Sequence, residues 1–192
     1  MTTIAIVKKQ GQVAIAADSG TTMGSCVVPP ANLTRVAKIM RIGRSFVASS
    51  GTAVHGLVLE SLARRHKDSF QLDSAEQVFE TFRALHPVMV EEYYLMTEVD
   101  DDDQPFQSSQ FNLMIANASG IYEVHHNRDV TEYETFWATG SGYRFALGAL
   151  DALYAKRTHS AKALARRACE AGVKFDDGSS LPIEVHGARL TR

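Results

Sequence analysis

The chain has little cysteine and no long apolar segment. Only Cys26 and Cys169 are present among 192 residues, too few for a disulfide framework or a metal-cluster spacing. No apolar run is long enough to cross a bilayer, and Lys8 and Lys9 interrupt the apolar start before it resembles a secretory signal. We therefore expect a reducing compartment, with the cytoplasm as the default location and no membrane partner.

An excess of charge of either sign is also lacking. The chain has 20 basic and 22 acidic residues, with a formal net charge of -2, so neither a nucleic-acid surface nor an acidic tail is indicated. Its hydrophobic fraction of 45% suits a packed core. Because 192 residues make one domain of ordinary size, we predict a single domain over residues 1–192, without a nucleic-acid partner.

An acidic run, from Asp100 to Asp103, stands beside Pro105. Paired aspartates can bind divalent cations, but no second ligand group stands at a recognisable spacing from them. A solvated loop is the alternative and the one that we expect. The sequence therefore predicts no metal site and no cofactor.

Short apolar runs separated by turn residues predict β-hairpins. The predicted strands are residues 3–7 with 12–17, 35–42 with 45–50, and 111–116 with 121–124, followed by single strands at 133–138 and 181–185. Residues 19–30 contain Gly, Ser and Thr and end at Pro29-Pro30, which predicts a loop.

Helical spacing of apolar residues begins after Thr52 and predicts a first helix. A second helix is expected after Ser74, which forms a typical capping box with Gln77, and Pro87 should kink or interrupt it. Two more helices are predicted at 145–153 and 161–173. Hairpins alternating with helix pairs predict an α+β protein, a four-layer αββα sandwich with two antiparallel sheets between helix pairs.

The first residues offer a candidate nucleophile. Aminopeptidase removal of Met1 before the small Thr2 would leave a hydroxyl and an α-amine on one residue. An N-terminal amine, with a reference pKa of roughly 7.7 to 8.0, can accept the proton of its own hydroxyl. An ordinary chain start is the alternative, and the dipeptide alone does not decide between them.

Two further positions are compatible with function or with plain structure. Asp18 stands where a predicted strand gives way to a loop, so it is either a functional side chain or a turn-forming carboxylate. The turn Thr139-Gly140-Ser141-Gly142 precedes a predicted helix. It either supplies backbone donors at the helix start or serves only as a turn.

Five short segments occur in the order, and near the separations, of a known family. They are Thr2-Thr3-Ile4, Asp18, Ser49-Ser50-Gly51-Thr52-Ala53, Thr139-Gly140-Ser141-Gly142 and residues 176–179. On these segments, which span nearly the whole chain, it resembles the β-type subunits of the proteasome family. The likeness is greatest to the bacterial HslV peptidases, and the beta-proteobacterial proteasome homologues are a candidate group. The resemblance implies the N-terminal nucleophile hydrolase fold and a threonine-type endopeptidase.

Roles follow from the resemblance at matching positions. It implies Thr2 as the nucleophile, with its own amine as proton acceptor, and Asp18 as the group that sets the charge balance. It implies that Ser141, Asp176 and Ser179 orient the amine and a water molecule.

The resemblance also implies a substrate cleft. Ser50 matches the glycine of the oxyanion hole, and its backbone N-H can donate to a tetrahedral intermediate. Thr22 and Thr52 match positions whose backbone holds an extended substrate as an added strand.

Two residues depart from the family pattern. Ser50 replaces a glycine, and Arg35 stands where we place the family's catalytic lysine. Arginine stays protonated and cannot relay a proton, although its fixed charge can still stabilise an alkoxide. Since side chains alternate along a strand, the register that turns Arg35 toward the nucleophile turns Lys38 away. The sequence therefore predicts Arg35 as the active-site cation.

Three functions remain open at this stage. The first is a threonine peptidase that cleaves unfolded polypeptides inside stacked rings of identical subunits, with an ATPase unfoldase as a candidate partner. The second is a non-catalytic or weakly active ring or scaffold subunit, which Arg35 and Ser50 motivate. The third is a small-molecule amidase of the same fold.

Overall fold

The computed structural model describes residues 2–23, 26–34, 37–97 and 105–191. The strands are β1 (Ile4–Lys9), β2 (Gln12–Asp18), β3 (Thr21–Met23), β4 (Cys26–Val28), β5 (Ile39–Ile42), β6 (Ser45–Ser50), β7 (Asn112–Ala116), β8 (Ile121–Val124), β9 (Val130–Glu132), β10 (Phe136–Thr139) and β11 (Ile183–Arg189). The helices are α1 (Ala53–Arg65), α2 (Ala75–Tyr93), α3 (Tyr143–Tyr154) and α4 (Ala161–Phe175).

Two antiparallel sheets form the middle of the molecule. The first has the strand order β10-β1-β2-β11, and the second has the order β5-β6-β7-β8-β9. Strands β3 and β4 pair with each other in a separate hairpin. In the first sheet Ile4 pairs with Ala17 and with Thr139, so the start of β1 lies between the end of β2 and the end of β10.

Side-chain alternation along β1 explains why the sheets stack. Ile4 and Ile6 enter the core between the two sheets, whereas Ala5 and Val7 enter the core beneath α3 and α4. All four side chains are fully buried. A strand that is apolar on both faces must be covered on both, and this places a helix layer outside the first sheet.

The helix pairs cover the outer faces. Small residues on β2 and α4, including Ala14, Ala16, Ala165 and Ala168, share one core and let the helix approach the sheet closely. On the other side, α1 and α2 pack against the second sheet. The predicted α+β class and four-layer sandwich are confirmed.

Several local predictions differ from the structure. The predicted loop at 19–30 contains β3 and β4, and β9 was not predicted. Helix α2 runs continuously through Pro87, so the expected interruption is not observed. Its buried residues Leu85 and Met89 flank the proline, and their burial, about 1.5 to 3 kcal/mol each, offsets the roughly 3 kcal/mol that an interior proline costs.

The remaining predictions concern the acidic run, metal binding and membrane-spanning segments. The acidic run at 100–103 lies outside the described residues. Among the residues that are described, no group of His, Cys, Asp or Glu is arranged to hold a metal ion. No helix in the described ranges has the length and apolar character needed to cross a membrane.

Candidate active site

Thr2 lies at the junction of the first sheet and the turn after β10. Its exposed fraction is only 6%. Its carbonyl oxygen accepts a hydrogen bond from the Gly142 amide at 3.3 Å, and its backbone nitrogen donates to Ser141 Oγ at 3.1 Å. The backbone of Thr2 is therefore held on one side, which leaves its hydroxyl directed to the other.

A lysine occupies the hydroxyl side. Lys38 Nζ lies 2.7 Å from Thr2 Oγ1 and 3.0 Å from both carboxylate oxygens of Asp18. The Asp18 side chain is fully buried, and that of Lys38 is 18% exposed. An ion pair therefore stands directly against the hydroxyl of Thr2.

The Asp18 carboxylate is fixed by three backbone amides in addition to Lys38. It accepts from Thr3 N at 2.9 Å, Gly20 N at 2.8 Å and Ser180 N at 3.1 Å. Burying a carboxylate is costly unless its oxygens are hydrogen-bonded, and this set satisfies both oxygens. Asp18 is thus held by several hydrogen bonds at the end of β2, where the sequence allowed either a functional side chain or a turn-forming carboxylate.

The environment changes how readily Lys38 gives up a proton. Burial lowers the pKa of Lys38 below its ordinary value, while the neighbouring Asp18 carboxylate acts in the opposite direction. Lysine responds readily to burial, so proton exchange at this amine is easier than at an exposed lysine. A cation near a hydroxyl also favours the ionised oxygen.

The prediction that Lys38 faces away from Thr2 is wrong, and with it the register that made Arg35 the cation at this site. Strand β5 begins at Ile39, so Lys38 precedes it and strand alternation does not govern its direction. Arg35 itself lies outside the described residues.

The sequence contained a signal against a strand that begins at position 35. The hairpin pairs Ile42 with Ser45 and Ile39 with Ala48, and the predicted second strand ends at Ser50. The six residues 45–50 can pair with only six residues of the partner strand, so the partner strand should begin near residue 37. An eight-residue strand from position 35 was too long for this hairpin.

A second polar cluster lies on the nitrogen side of Thr2. Asp176 Oδ2 accepts hydrogen bonds from Ser141 Oγ at 2.8 Å and from Ser179 Oγ at 2.6 Å. Ser179 Oγ is 2.7 Å from the Thr3 hydroxyl. The structure thus brings Ser141, Asp176 and Ser179, the residues that the family resemblance named, together beside Thr2 and adds Thr3 to the group.

Gly140 allows the close approach between this cluster and β1. Its φ of +91° lies in the left-handed region, and a Cβ at this position would collide with the Thr2 carbonyl. Glycine is the residue that tolerates both conditions. The Gly-rich turn therefore precedes α3 and also packs against the backbone of Thr2.

Thr2 opens into a cleft that we call the Lys38 cavity, of about 550 Å³. Thr22 and Thr52 both line it, together with Gly51 and Met40. Their backbone segments flank an open space beside the Thr2 hydroxyl, where an extended chain would fit.

Ser50 borders a different cavity. It ends β6, is 8% exposed, and its neighbours Ser49 and Gly51 line the Lys38 cavity. Ser50 itself lines the adjoining space on the far side of β6. The serine therefore does not line the cleft that contains Thr2.

The chain is similar to known proteins in sequence and in structure. A family profile described as "Proteasome subunit" matches residues 1–186. The solved structure of Thiobacillus denitrificans BPH is 36% identical, with a TM-score of 0.90 over 99% of both chains. Its complex with epoxomicin gives 36% identity and a TM-score of 0.90 over 100% of both chains.

A more distant neighbour has the same fold. Eukaryotic HslV from Trypanosoma brucei is 20% identical, with a TM-score of 0.73 over 98% of this chain and 99% of that chain. At this identity the likeness concerns the fold alone. No curated protein matches the chain significantly.

Proposed function

This chain belongs to the proteasome subunit family, and from that premise we propose that it is a threonine peptidase subunit with Thr2 as its nucleophile. The observation that carries the proposal is the position of Lys38 Nζ, 2.7 Å from Thr2 Oγ1 and 3.0 Å from the Asp18 carboxylate. A hydroxyl beside a buried ammonium is easier to ionise than one in water. The proposed cation is therefore Lys38.

The proton acceptor in this proposal is the α-amine that removal of Met1 would expose. While residue 1 is attached, the Thr2 nitrogen is an amide and cannot serve as a base. Once free, the amine would stand beside Ser141 Oγ, which lies 3.1 Å from the nitrogen. It would take the hydroxyl proton directly or through a water molecule.

The reaction then follows two steps. Thr2 Oγ1 attacks the peptide carbonyl. The resemblance assigns stabilisation of the tetrahedral oxyanion to the Ser50 backbone N-H, which stands between Ser49 and Gly51, the two neighbours that line the Lys38 cavity. The carbon–nitrogen bond breaks, the leaving amine receives the proton from the α-amine, and an ester forms on Thr2. A water molecule, oriented by Ser141 and Ser179, hydrolyses that ester and restores the hydroxyl.

Substrate and assembly follow from the family. Proteasome-type subunits generally assemble into stacked rings, and an enclosed chamber would confine a nucleophile that attacks peptide bonds. Unfolded polypeptides are the substrates that could enter, and Thr22 and Thr52 would hold one as an added strand along the cleft. Delivery by an ATPase unfoldase is a further part of this hypothesis.

The second candidate, a non-catalytic ring subunit, was motivated by two substitutions. Lys38 at the Thr2 hydroxyl supplies the amine that Arg35 lacks, and this favours the peptidase over the scaffold. Ser50 does not line the cavity that contains Thr2, so its replacement of a glycine favours neither candidate.

Intact mass spectrometry after treatment with a threonine-reactive electrophile such as epoxomicin tests the proposal. We expect the mature mass to lack Met1 and to increase by one adduct per chain. The matched variant Thr2→Ala keeps a small residue after Met1, so it should lose Met1 equally and gain no adduct. Retained Met1, or an adduct on the alanine variant, would contradict the assignment of Thr2.

A further inference from the structure

A second cavity lies on the other side of β6 from the Lys38 cavity. Its volume is about 600 Å³, and we call it the His125 cavity. Among the residues that line it are Asn112, Glu123, His125, His126, Trp137 and Tyr143. None of these side chains takes part in the proposed chemistry.

The two cavities adjoin at Gly51, close to Thr2. Thr2 lines the Lys38 cavity, whereas Gly140, which is packed against the Thr2 carbonyl, lines the His125 cavity. Gly51 lines both. An extended chain that crosses the Thr2 hydroxyl therefore has one cavity on each side of the bond under attack.

The chemistry indicates which side receives which half of the substrate. The group that takes the hydroxyl proton must later give it to the leaving amine, so the leaving half lies on the nitrogen side of Thr2. That side carries Ser141 and the adjoining Gly140. It therefore faces the His125 cavity.

One residue of the lining is a buried glutamate. Glu123 is 2% exposed, although it shares a strand face with Ile121 of the inter-sheet core. It accepts a hydrogen bond from the Tyr133 hydroxyl at 2.7 Å, and His125 Nε2 lies 3.6 Å from it. In the described ranges no lysine or arginine forms an ion pair with it.

The rest of the lining also favours a positively charged ligand. Asn112 Oδ1 is buried and has no hydrogen-bond partner among the described residues. The walls include Trp137 and Tyr143, and aromatic faces attract cations. One face of Trp137 stacks on Tyr133, and the Arg144 guanidinium lies 5.1 Å from the centre of the Tyr143 ring. Burial and Glu123 raise the pKa of Tyr133, so its hydroxyl stays a donor to the carboxylate. A buried acidic residue and one acceptor without a partner, within aromatic walls, suit a side chain that is cationic and rich in donors.

We propose that the His125 cavity is the subsite for the first two leaving-side residues of the polypeptide substrate and that it selects a basic side chain, lysine or arginine, there. This inference rests on the proposed function, because it assumes that Thr2 cleaves peptide bonds. An ammonium or guanidinium would lie between Glu123 and the aromatic walls, with Asn112 Oδ1 as a second acceptor.

Internally quenched peptides test the inference. The acyl-side sequence is kept constant, and either the first or the second leaving-side residue is lysine, the length-matched neutral norleucine, or glutamate. Each rate is divided by the rate on the same acyl sequence joined to aminocoumarin, which offers no side chain to the cavity. We expect lysine to exceed norleucine about tenfold in kcat/KM at one of the two positions, the size of a charge-assisted hydrogen bond.

Variants locate the preference. Glu123→Gln should reduce the lysine-to-norleucine ratio to below about twofold, while Glu132→Gln, which removes an exposed carboxylate on β9, should leave it unchanged. If Glu123→Gln fails to fold, Asn112→Ala decides, since its Oδ1 has no partner to lose, and it should reduce the ratio at least threefold.

The outcomes separate the two proposals. No cleavage of the aminocoumarin substrate would contradict the peptidase assignment itself. Cleavage of that substrate with equal rates on lysine and norleucine peptides, or a preference that survives both cavity variants, would overturn the subsite and leave the peptidase assignment standing.

Discussion

The two sides of Thr2 are built from different chemistry. On the hydroxyl side, Lys38 and Asp18 form a buried pair of full charges, and Asp18 is fully buried. On the nitrogen side, two serine hydroxyls converge on Asp176, a half-buried carboxylate that caps the end of α4. The first side supplies charge to the reacting oxygen, and the second orients the nitrogen.

Asp176 occupies a place that local helix energetics disfavour. A carboxylate at the C-terminal end of a helix opposes the helix dipole, typically by about 0.3 to 1 kcal/mol. The hydrogen bonds from Ser141 and Ser179 offset this cost. The difference between the sides suggests that changes near Lys38 affect the chemistry most, and changes near Asp176 affect positioning.

The largest effect is expected from Lys38→Ala. Loss of the ammonium beside Thr2 Oγ1 should lower kcat/KM for a peptide substrate by about 10³-fold, a typical contribution of acid–base catalysis. Lys67→Ala, at an exposed lysine, is the matched control and should retain full activity. In the same assay we expect Arg35→Ala to remain active. If Arg35→Ala were inactive and Lys38→Ala active, the hydroxyl side would not depend on Lys38.

Asp18→Asn tests whether the buried pair also supports the fold. Removing one partner leaves an uncompensated buried ammonium, so we expect the free energy of unfolding to fall by about 3 kcal/mol. Asp151→Asn, at an exposed aspartate on α3, should change it by less than about 0.5 kcal/mol. Denaturant unfolding at one fixed protein concentration measures both. Equal stability of the two variants would show that the pair contributes nothing to folding.

Ser141→Ala should have a smaller effect on activity. The Thr2 nitrogen and Asp176 each lose one hydrogen-bond partner, while the charges on the hydroxyl side remain. We expect kcat/KM to fall about tenfold, the value of one hydrogen bond to a charged group. Ser119→Ala, on a distant hairpin turn, serves as the control. A loss as large as that of Lys38→Ala would remove the distinction between the two sides.

The smallest effect concerns pH. Burial lowers the pKa of folded Lys38 below its unfolded reference of 10.5, so between these two values the unfolded chain binds more protons. Stability contributed by this group therefore rises as pH increases through that window. Relative to Lys38→Met, the parent protein should gain free energy of unfolding from neutral pH toward 10.5. A falling difference would mean that Asp18 outweighs burial.

Local patterns predicted most elements well. Ser74 accepts a hydrogen bond from the Gln77 amide, as its capping signature indicated, and the hairpins at β1–β2 and β7–β8 have the predicted pairing. The short β3, β4 and β9 were missed because three-residue strands lack a measurable period. The family resemblance, carried by five separated segments, is confirmed.

For the site, the structure places Asp18, Ser141 and Ser179 close to the start of β1. The family resemblance implied these positions, and their roles stay predictions. The direction of Lys38 was wrong because it depended on where β5 begins, and element boundaries are the least certain part of any pattern. Because β5 begins at Ile39, Lys38 lies outside the strand, and the alternation of side chains does not apply to it.

The sequence by itself determined the order of strands and helices, the apolar faces that stack them, and the candidate nucleophile at Thr2. These follow from interactions between residues close in the chain and from burial periods. Only the tertiary structure decided that Lys38 is the cation at the Thr2 hydroxyl and that Glu123 lies buried beside a cavity. Both depend on contacts between segments far apart in the chain, where the packing of two sheets fixes distances that no local pattern contains.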